Sequence, residues 1–332
     1  MIINYIVVII FLEANSKTID RINVWCEFMK MEDLIQEKLR NIYNDNTIVF
    51  DKSRFAGGLT NYNYIMNIKG TEYVVRQPGT MTHLMIDRKI EKVNNLIASE
   101  IGLNSQCVYF DEDSGIKISV YINDSKNIGQ INPCSISNLN IVSDLMKKIH
   151  SSKKNFPNLF NWQEELEKYE TIVLELNGVF FFDYGRFKKL LLDFMDENIK
   201  DTICVPCHND TVPENFVVDS NGKGYLIDWE YSGMNDPTWD LAAYILESKL
   251  TQEAIEYLLL DYYGDMPEPS EIIKIKSYMM AQDLLWMVWS MIRHYSGDDF
   301  LDYCLLRYER FKKNLNNLVA SLDYPMFEMV KE

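Results

Sequence analysis

At 332 residues the chain is long enough for a two-lobed enzyme with a full core, and 47% hydrophobic with 25% charged residues is ordinary for a soluble globular protein. Acidic residues outnumber basic ones 49 to 33, and the net charge of −16 argues against nucleic-acid and anionic-membrane partners, which need a basic surface. It favours a cationic substrate. Six cysteines, scattered rather than framed, suit a reducing cytoplasm.

Met1 to Leu12 is an apolar run interrupted by Asn4. A spanning helix needs about 20 such residues, and a secretory signal needs a positive leader and a small-residue cleavage site, so no membrane span is expected. For residues 1–30 the options are a short membrane-touching anchor, an element packed on the body, or an apolar extension added by a mistaken start codon. Leu34, Ile35, Leu39 and Ile42 recur at helical spacing, which predicts a helix over Glu32–Tyr43 and a working domain beginning near Met31.

From Ile48 the pattern turns to strands. Ser53 to Asn61 is a glycine-bearing turn, followed by alternating Tyr62, Tyr64, Met66 and Ile68. By itself its Gly57-Gly58-Leu59-Thr60-Asn61 core is neither a Walker loop nor GxGxxG and reads as a tight hairpin. Glu72 to Arg76 is a buried strand ending in a cation, and a helix follows over Ile86–Ser99 with Arg88 and Glu91 three apart. Val108–Phe110 and Ile116–Ile122 form another strand pair, and the polar, Pro-containing run Asn123–Asn140 is a boundary. Beyond it, helices are expected over Leu139–His150, Asn161–Leu176 and Tyr184–Asn198, the first ending in Lys147, Lys148 and His150, which suit a helix C-terminus.

Cys204 to Asp240 carries the densest chemistry: His208-Asn209-Asp210, then Asn215, then Asp228-Trp229-Glu230, set between short apolar runs. Phe216–Val218 and Tyr225–Ile227 flank the turn signal Asp219-Ser220-Asn221-Gly222, so a hairpin brings Asn215 near Asp228. An Asn beside an Asp offers hard oxygen ligands that suit magnesium, and Asp210 is close enough to face the same ion and accept a proton. Cys204-Val205-Pro206-Cys207-His208 matches the haem-attachment pattern and half a zinc site, but no second ligand pair accompanies it. Both cysteines are expected to be buried apolar filler. In the last third, Trp286 and Trp289 share a helix face and Tyr303 follows on the next helical segment. Such rings can be core packing or a box that holds a quaternary ammonium by cation–π attraction.

The spacings His208 to Asn215 and Ile227 to Glu230 resemble HxDxxxxN followed by IDxE, the catalytic signature of the aminoglycoside phosphotransferase and choline kinase superfamily. The resemblance implies an α+β, two-lobed protein-kinase-like fold: a small β-rich nucleotide-binding N-lobe over residues 31–123 and a larger, mainly helical catalytic and substrate-binding C-lobe over 124–332. It implies ATP and Mg2+, with Asp210 catalytic, Asn215 and Asp228 on the metal, and His208 and Asp240 as structural support. Gly58, Thr60 and Asn61 would cover the phosphates, and Arg76 would touch them. Glu91 is then the expected partner of Arg76, with a surface Arg88–Glu91 pair as the competing reading. Tyr121 falls in the hinge candidate Val120–Asn123, whose backbone groups would meet adenine.

The run Ala281-Gln282 to Trp286, Trp289 and Ser290, with Asp302-Tyr303 after it, is similar to the choline-binding helices of choline kinases. Tyr231 and Glu247 also fall on family positions that line that pocket. The resemblance implies a cytoplasmic choline kinase of the bacterial type, with choline and ATP as its partners. The alternatives are an ethanolamine kinase, an aminoglycoside phosphotransferase, and a catalytically idle choline-binding sensor. Oligomeric state has no signature here.

Overall fold

The computed structural model describes residues 31–58, 60–79, 81–200 and 202–320, and the apolar run at Met1–Leu12 lies outside them. By packing, the described residues form two compact units: one holds those up to Gly79 with Val108–Tyr121, the other those of Thr80–Cys107 and from Ile122 onward. No described helix is long and apolar enough to cross a membrane.

The first unit opens with the expected helix, α1 (31–43), which buries Ile35 and Leu39. Strands β1 (Phe55–Gly57), β2 (Asn61–Ile68), β3 (Thr71–Pro78), β4 (Cys107–Phe110) and β5 (Lys117–Val120) make one sheet in the order β1-β2-β3-β5-β4. Lys69 and Gly70, at φ 53° and 86°, turn β2 into β3 through the two-residue hairpin that the strand twist prefers. The alternating residues Met66 and Ile68 meet Val75, Ile116 and Ile118 over α1 in a small apolar core. The glycine turn between β1 and β2 cannot accept side chains. Gly58 sits at φ 132°, and a Cβ there would lie 1.9 Å from the Asn61 carbonyl oxygen; one on Gly79 would lie 2.1 Å from that of Thr60. The turn's backbone is thus packed directly against backbone.

The second unit contains α2 (Thr82–Met85), α3 (Arg88–Glu100), β6 (Lys126–Asn127), α4 (Ile136–His150), α5 (Trp162–Glu175) and α6 (Tyr184–Asn198). Then come β7 (Val205–Cys207), β8 (Phe216–Val218), β9 (Gly224–Leu226), β10 (Gly233–Asn235), α7 (Thr238–Glu247), α8 (Gln252–Tyr263), α9 (Pro269–Tyr295) and α10 (Leu301–Ala320). Helix α3 packs in this unit, although the linear division at residue 123 puts it with the first. Its buried face is polar: Asn94 Nδ2 donates to the Ser232 carbonyl at 2.9 Å and to Asn158 Oδ1 at 3.0 Å, contacts that hold it to this body. Helix α9 is the central post. It is buried along nearly its whole length, with Met279, Met280, Leu284, Leu285, Val288 and Ile292 in the main core. The short strands, two of which (β6 and β10) went unread in the sequence, pair as β7 with β10 and as β6-β8-β9.

Candidate active site

The predicted hairpin forms, with Phe216 opposite Leu226 and Val218 opposite Gly224. Its closing bond runs from Ile227 N to the Asn215 carbonyl at 2.9 Å, which sets Asn215 beside the residue that precedes Asp228. Asn215 Nδ2 donates to the Asp210 carbonyl at 2.8 Å and to Asp210 Oδ2 at 3.1 Å, which leaves the amide oxygen as an acceptor. Two residues of this cluster, Asn209 and Asp228, hold left-handed backbone at φ 66° each. Such geometry costs on the order of 1 kcal/mol or more and survives only where neighbours enforce it.

The neighbours are identifiable. Asp240, fully buried in the first turn of α7, accepts from the backbone N–H of His208 at 2.8 Å and of Asn209 at 2.7 Å. Asn209 Nδ2 donates to the Tyr231 carbonyl at 3.0 Å, and Trp239 Nε1 donates to the Asn209 carbonyl at 3.2 Å. His208 is buried against Trp229, its ring centroid 4.7 Å away. Burial lowers its pKa, so the ring is neutral: Nδ1 accepts from Asp210 N at 3.3 Å and Nε2–H donates to the Ile227 carbonyl at 2.8 Å. That bond ties the loop to the hairpin.

Burial and the nearby carboxylates of Asp228, Glu230 and Glu247 push the Asp210 carboxyl up to about 8, with the Asn215 amide pulling the other way. A pocket whose acids repel one another and whose donors are oxygens has the chemistry that a hard divalent cation satisfies. Asn215 and Asp228 therefore fit magnesium.

The C-terminal aromatics converge. Tyr231 lies 5.0 Å from Trp286, Trp286 6.4 Å from Trp289, Trp289 5.4 Å from Phe300, and Phe300 6.0 Å from Tyr303, measured between ring centroids. Tyr231 feels the charges of Asp210 and Asp228, and Tyr303 that of Glu247. The run of rings thus begins and ends near the acidic cluster. The Tyr231 hydroxyl and Trp289 Nε1 are buried with no hydrogen-bond partner among the described residues, an arrangement that in native proteins calls for a reason. Trp289 packs in the core, whereas Trp286 is half-buried against it.

In the first unit, Arg76 is buried two residues before the end of β3, not at its end, and donates from Nη2 to the Gly115 carbonyl at 2.9 Å with its guanidinium 5.3 Å over the Phe110 ring. Thr60 and Asn61 follow the glycine turn, and Tyr121 N donates to the Glu72 carbonyl at 3.0 Å. In the second unit, the Arg88–Glu91 pair forms at 2.6 Å. It is buried rather than on the surface, because Arg88 also reaches Glu230 at 3.0 Å and so links α3 to the IDWE segment. The cysteine reading is corrected in part: Cys207 is buried, but Cys204 is exposed at the mouth of β7.

Residues 53–271 match the Choline/ethanolamine kinase family. The chain belongs to the choline/ethanolamine kinase family. It is 34% identical over 290 residues to Protein LicA of Haemophilus influenzae, covering 85% of this chain and 84% of that one. The crystal structure of choline kinase LicA from Streptococcus pneumoniae superposes with a TM-score of 0.74 at 30% identity, over 87% of this chain and 99% of that one. A LicA structure in complex with AMP matches equally, at TM-score 0.74 and 31% identity over 86% and 98%. This family member is accordingly an ATP-dependent phosphotransferase with the two-part kinase-like fold.

Several of its residues escaped the sequence reading. His150 suits a helix end by its place in the sequence, yet its Nε2 lies 3.0 Å from Asp240 Oδ2 and its Nδ1 2.7 Å from the Tyr262 hydroxyl. His150, Cys207 and Asp240 bring ligand atoms within 4.8 Å of one another, but Asp240 is already committed to the loop backbone. Phe300, which completes the run of rings, and Arg307, Arg310 and Asp283 behind it gave no local signal. Only the i, i+3 and i, i+4 periodicity of α9 and α10 could have pointed to a shared face.

Proposed function

We propose that the protein transfers the γ-phosphate of ATP to the hydroxyl of choline, giving phosphocholine and ADP, and that Asp210 is the catalytic residue. What carries the reading is the run of rings from Tyr231 to Tyr303 that starts beside Asp210. A quaternary ammonium lodged among Tyr231, Trp286, Trp289 and Tyr303 gains about 0.5 to 2 kcal/mol per well-placed ring, and the two-carbon arm of choline then carries its hydroxyl toward the carboxylate.

Asp210 orients that hydroxyl for in-line attack and takes its proton as the bond forms, so catalysis is mostly positioning and charge stabilisation. Asn215 fixes the carboxylate through its amide and, with Asp228, would hold magnesium, which when bound neutralises charge on the phosphate oxygens. Asp240 and His208 keep the loop in its strained form. In the first unit, Arg76 and the turn at Gly58, Thr60 and Asn61 serve the phosphates, and the backbone around Tyr121 serves the adenine. Glu91 supports this side of the chemistry from α3. The unit that ends at Gly79 and takes up Val108–Tyr121 would be the nucleotide side and the unit of Thr80–Cys107 and Ile122 onward the catalytic and acceptor side, with the reducing cytoplasm as the place of work. An aminoglycoside acceptor would want an open acidic site in place of the rings.

The test is magnesium-dependent ADP release with choline, ethanolamine and kanamycin offered in parallel, for the parent protein and Asp210→Ala. Choline turnover well above the others, lost in the variant while nucleotide still binds, is the expected result. Substantial turnover by Asp210→Ala would sink its role, and turnover of kanamycin alone would return the tryptophans to core packing.

A further inference from the structure

Behind the proposed acceptor pocket lies a charge-balanced cluster that no local motif announces. Glu247 Oε1 faces two cations at once, Arg307 Nη1 at 2.9 Å and Arg310 Nη2 at 3.2 Å. Both arginines also hold Asp283, fully buried on α9, from Arg307 Nη1 at 3.1 Å and Arg310 Nε at 2.8 Å. The Arg307 guanidinium further lies 4.8 Å over the Tyr303 ring. The two guanidiniums are shared between the two carboxylates, so the negative charge that Glu247 shows a ligand is partly compensated. Its Oε1 is taken twice, and among the described residues Oε2 has no hydrogen-bond partner.

From this we infer that Arg307 and Arg310 set the choice between quaternary and primary ammonium acceptors by occupying Glu247. The inference rests on the choline reading above. A trimethylammonium carries no N–H and is weakly hydrated, so aromatic faces and a partly compensated carboxylate satisfy it. A primary ammonium brings three N–H donors into a pocket with one free carboxylate oxygen, and a buried donor left unpaired costs more than the contact returns. Selectivity here comes from withholding acceptors. Arg307 and Arg310 act through Glu247 and Tyr303, as positioning residues.

Arg310 is the residue to change, because its side chain is 26% exposed against 4% for Arg307. Steady-state kcat/KM is measured for choline and ethanolamine with the parent, Arg310→Met and Arg310→Lys. In Arg310→Met the choline-to-ethanolamine ratio falls about tenfold, since a lone pair of Oε1 is released and the cluster turns net negative. Arg310→Lys keeps the charge and stays near the parent ratio. A ratio unmoved in Arg310→Met overturns the inference, and so does an equal loss with both substrates, which marks a structural role only. Should that variant not fold, the parent is assayed with choline and its N,N-dimethyl, N-methyl and primary analogues. Stepwise decline with each N–H added supports the inference, and a flat series overturns it. A parent that turns over neither amine overturns the choline reading as well, whereas a choline-selective parent with an unmoved ratio overturns this inference alone.

Discussion

Asp240→Asn isolates the brace of the catalytic loop with almost no change in volume. The parent carboxylate accepts His208 N at 2.8 Å and His150 Nε2 at 3.0 Å on one oxygen and Asn209 N at 2.7 Å on the other. An amide has one acceptor oxygen, so whichever way it turns, one buried backbone N–H faces an NH2 group. An orphaned donor costs about 1 to 3 kcal/mol, and loss of charge from the surviving bond about 1 kcal/mol more. The sum, about 2 to 4 kcal/mol, is a large fraction of ordinary stability and in a chain of this length lowers Tm by roughly 3 to 8 °C. Asn209, strained at φ 66° directly before Asp210, then relaxes. A shift of about 1 Å in the acceptor carboxylate is enough for a kcat loss of roughly 100-fold. Thermal unfolding and steady-state kinetics with choline and ATP read both effects. A kcat within about threefold of the parent, at unchanged Tm, would refute the claim that Asp240 holds the loop.

Three further outcomes are expected. Because the Asp210 carboxyl is pushed up to about 8 when folded, its contribution is fully present below the unfolded carboxylate range near pH 4 and is lost as pH rises through 8. Without added divalent metal, unfolding free energy therefore drops by on the order of 2 to 3 kcal/mol more between pH 6 and 9 in the parent than in Asp210→Asn, and identical slopes in denaturant titrations would count against that environment. Trp286→Ala removes the half-buried ring next to Tyr231 and raises KM for choline about 3- to 30-fold with a smaller change in kcat; a KM within twofold of the parent returns Trp286 to packing. Gly58→Ala places a Cβ 1.9 Å from the Asn61 carbonyl oxygen at φ 132°, so the turn must reopen. KM for ATP then rises at least about tenfold while choline binding, read by calorimetry, holds; an unchanged KM removes the turn from the nucleotide site.

The hairpin that joins Asn215 to Ile227, next to Asp228, the Asp210 loop before it and the strand that carries Arg76 were legible in the sequence because each is closed by local geometry, although that strand runs past Arg76 to Pro78. Alternation, a four-residue turn signal and fixed short spacings leave the backbone few options. The family resemblance drew on those same local spacings. The partners that give the site its character were not legible. His150 meets Asp240 across 90 residues and Arg310 meets Glu247 across 63, and burial reverses what their local context suggests. The same His at the end of α4 could be a solvated helix-end charge, and the same Arg88–Glu91 pair a surface contact, until packing removes the water. Short spacings along the chain supply the chemistry available, namely which oxygens, rings and glycines stand near one another. Which charges are compensated, which acceptors are taken and which strained residues are held follow from packing across distant segments, because those depend on which helices exclude water from one another.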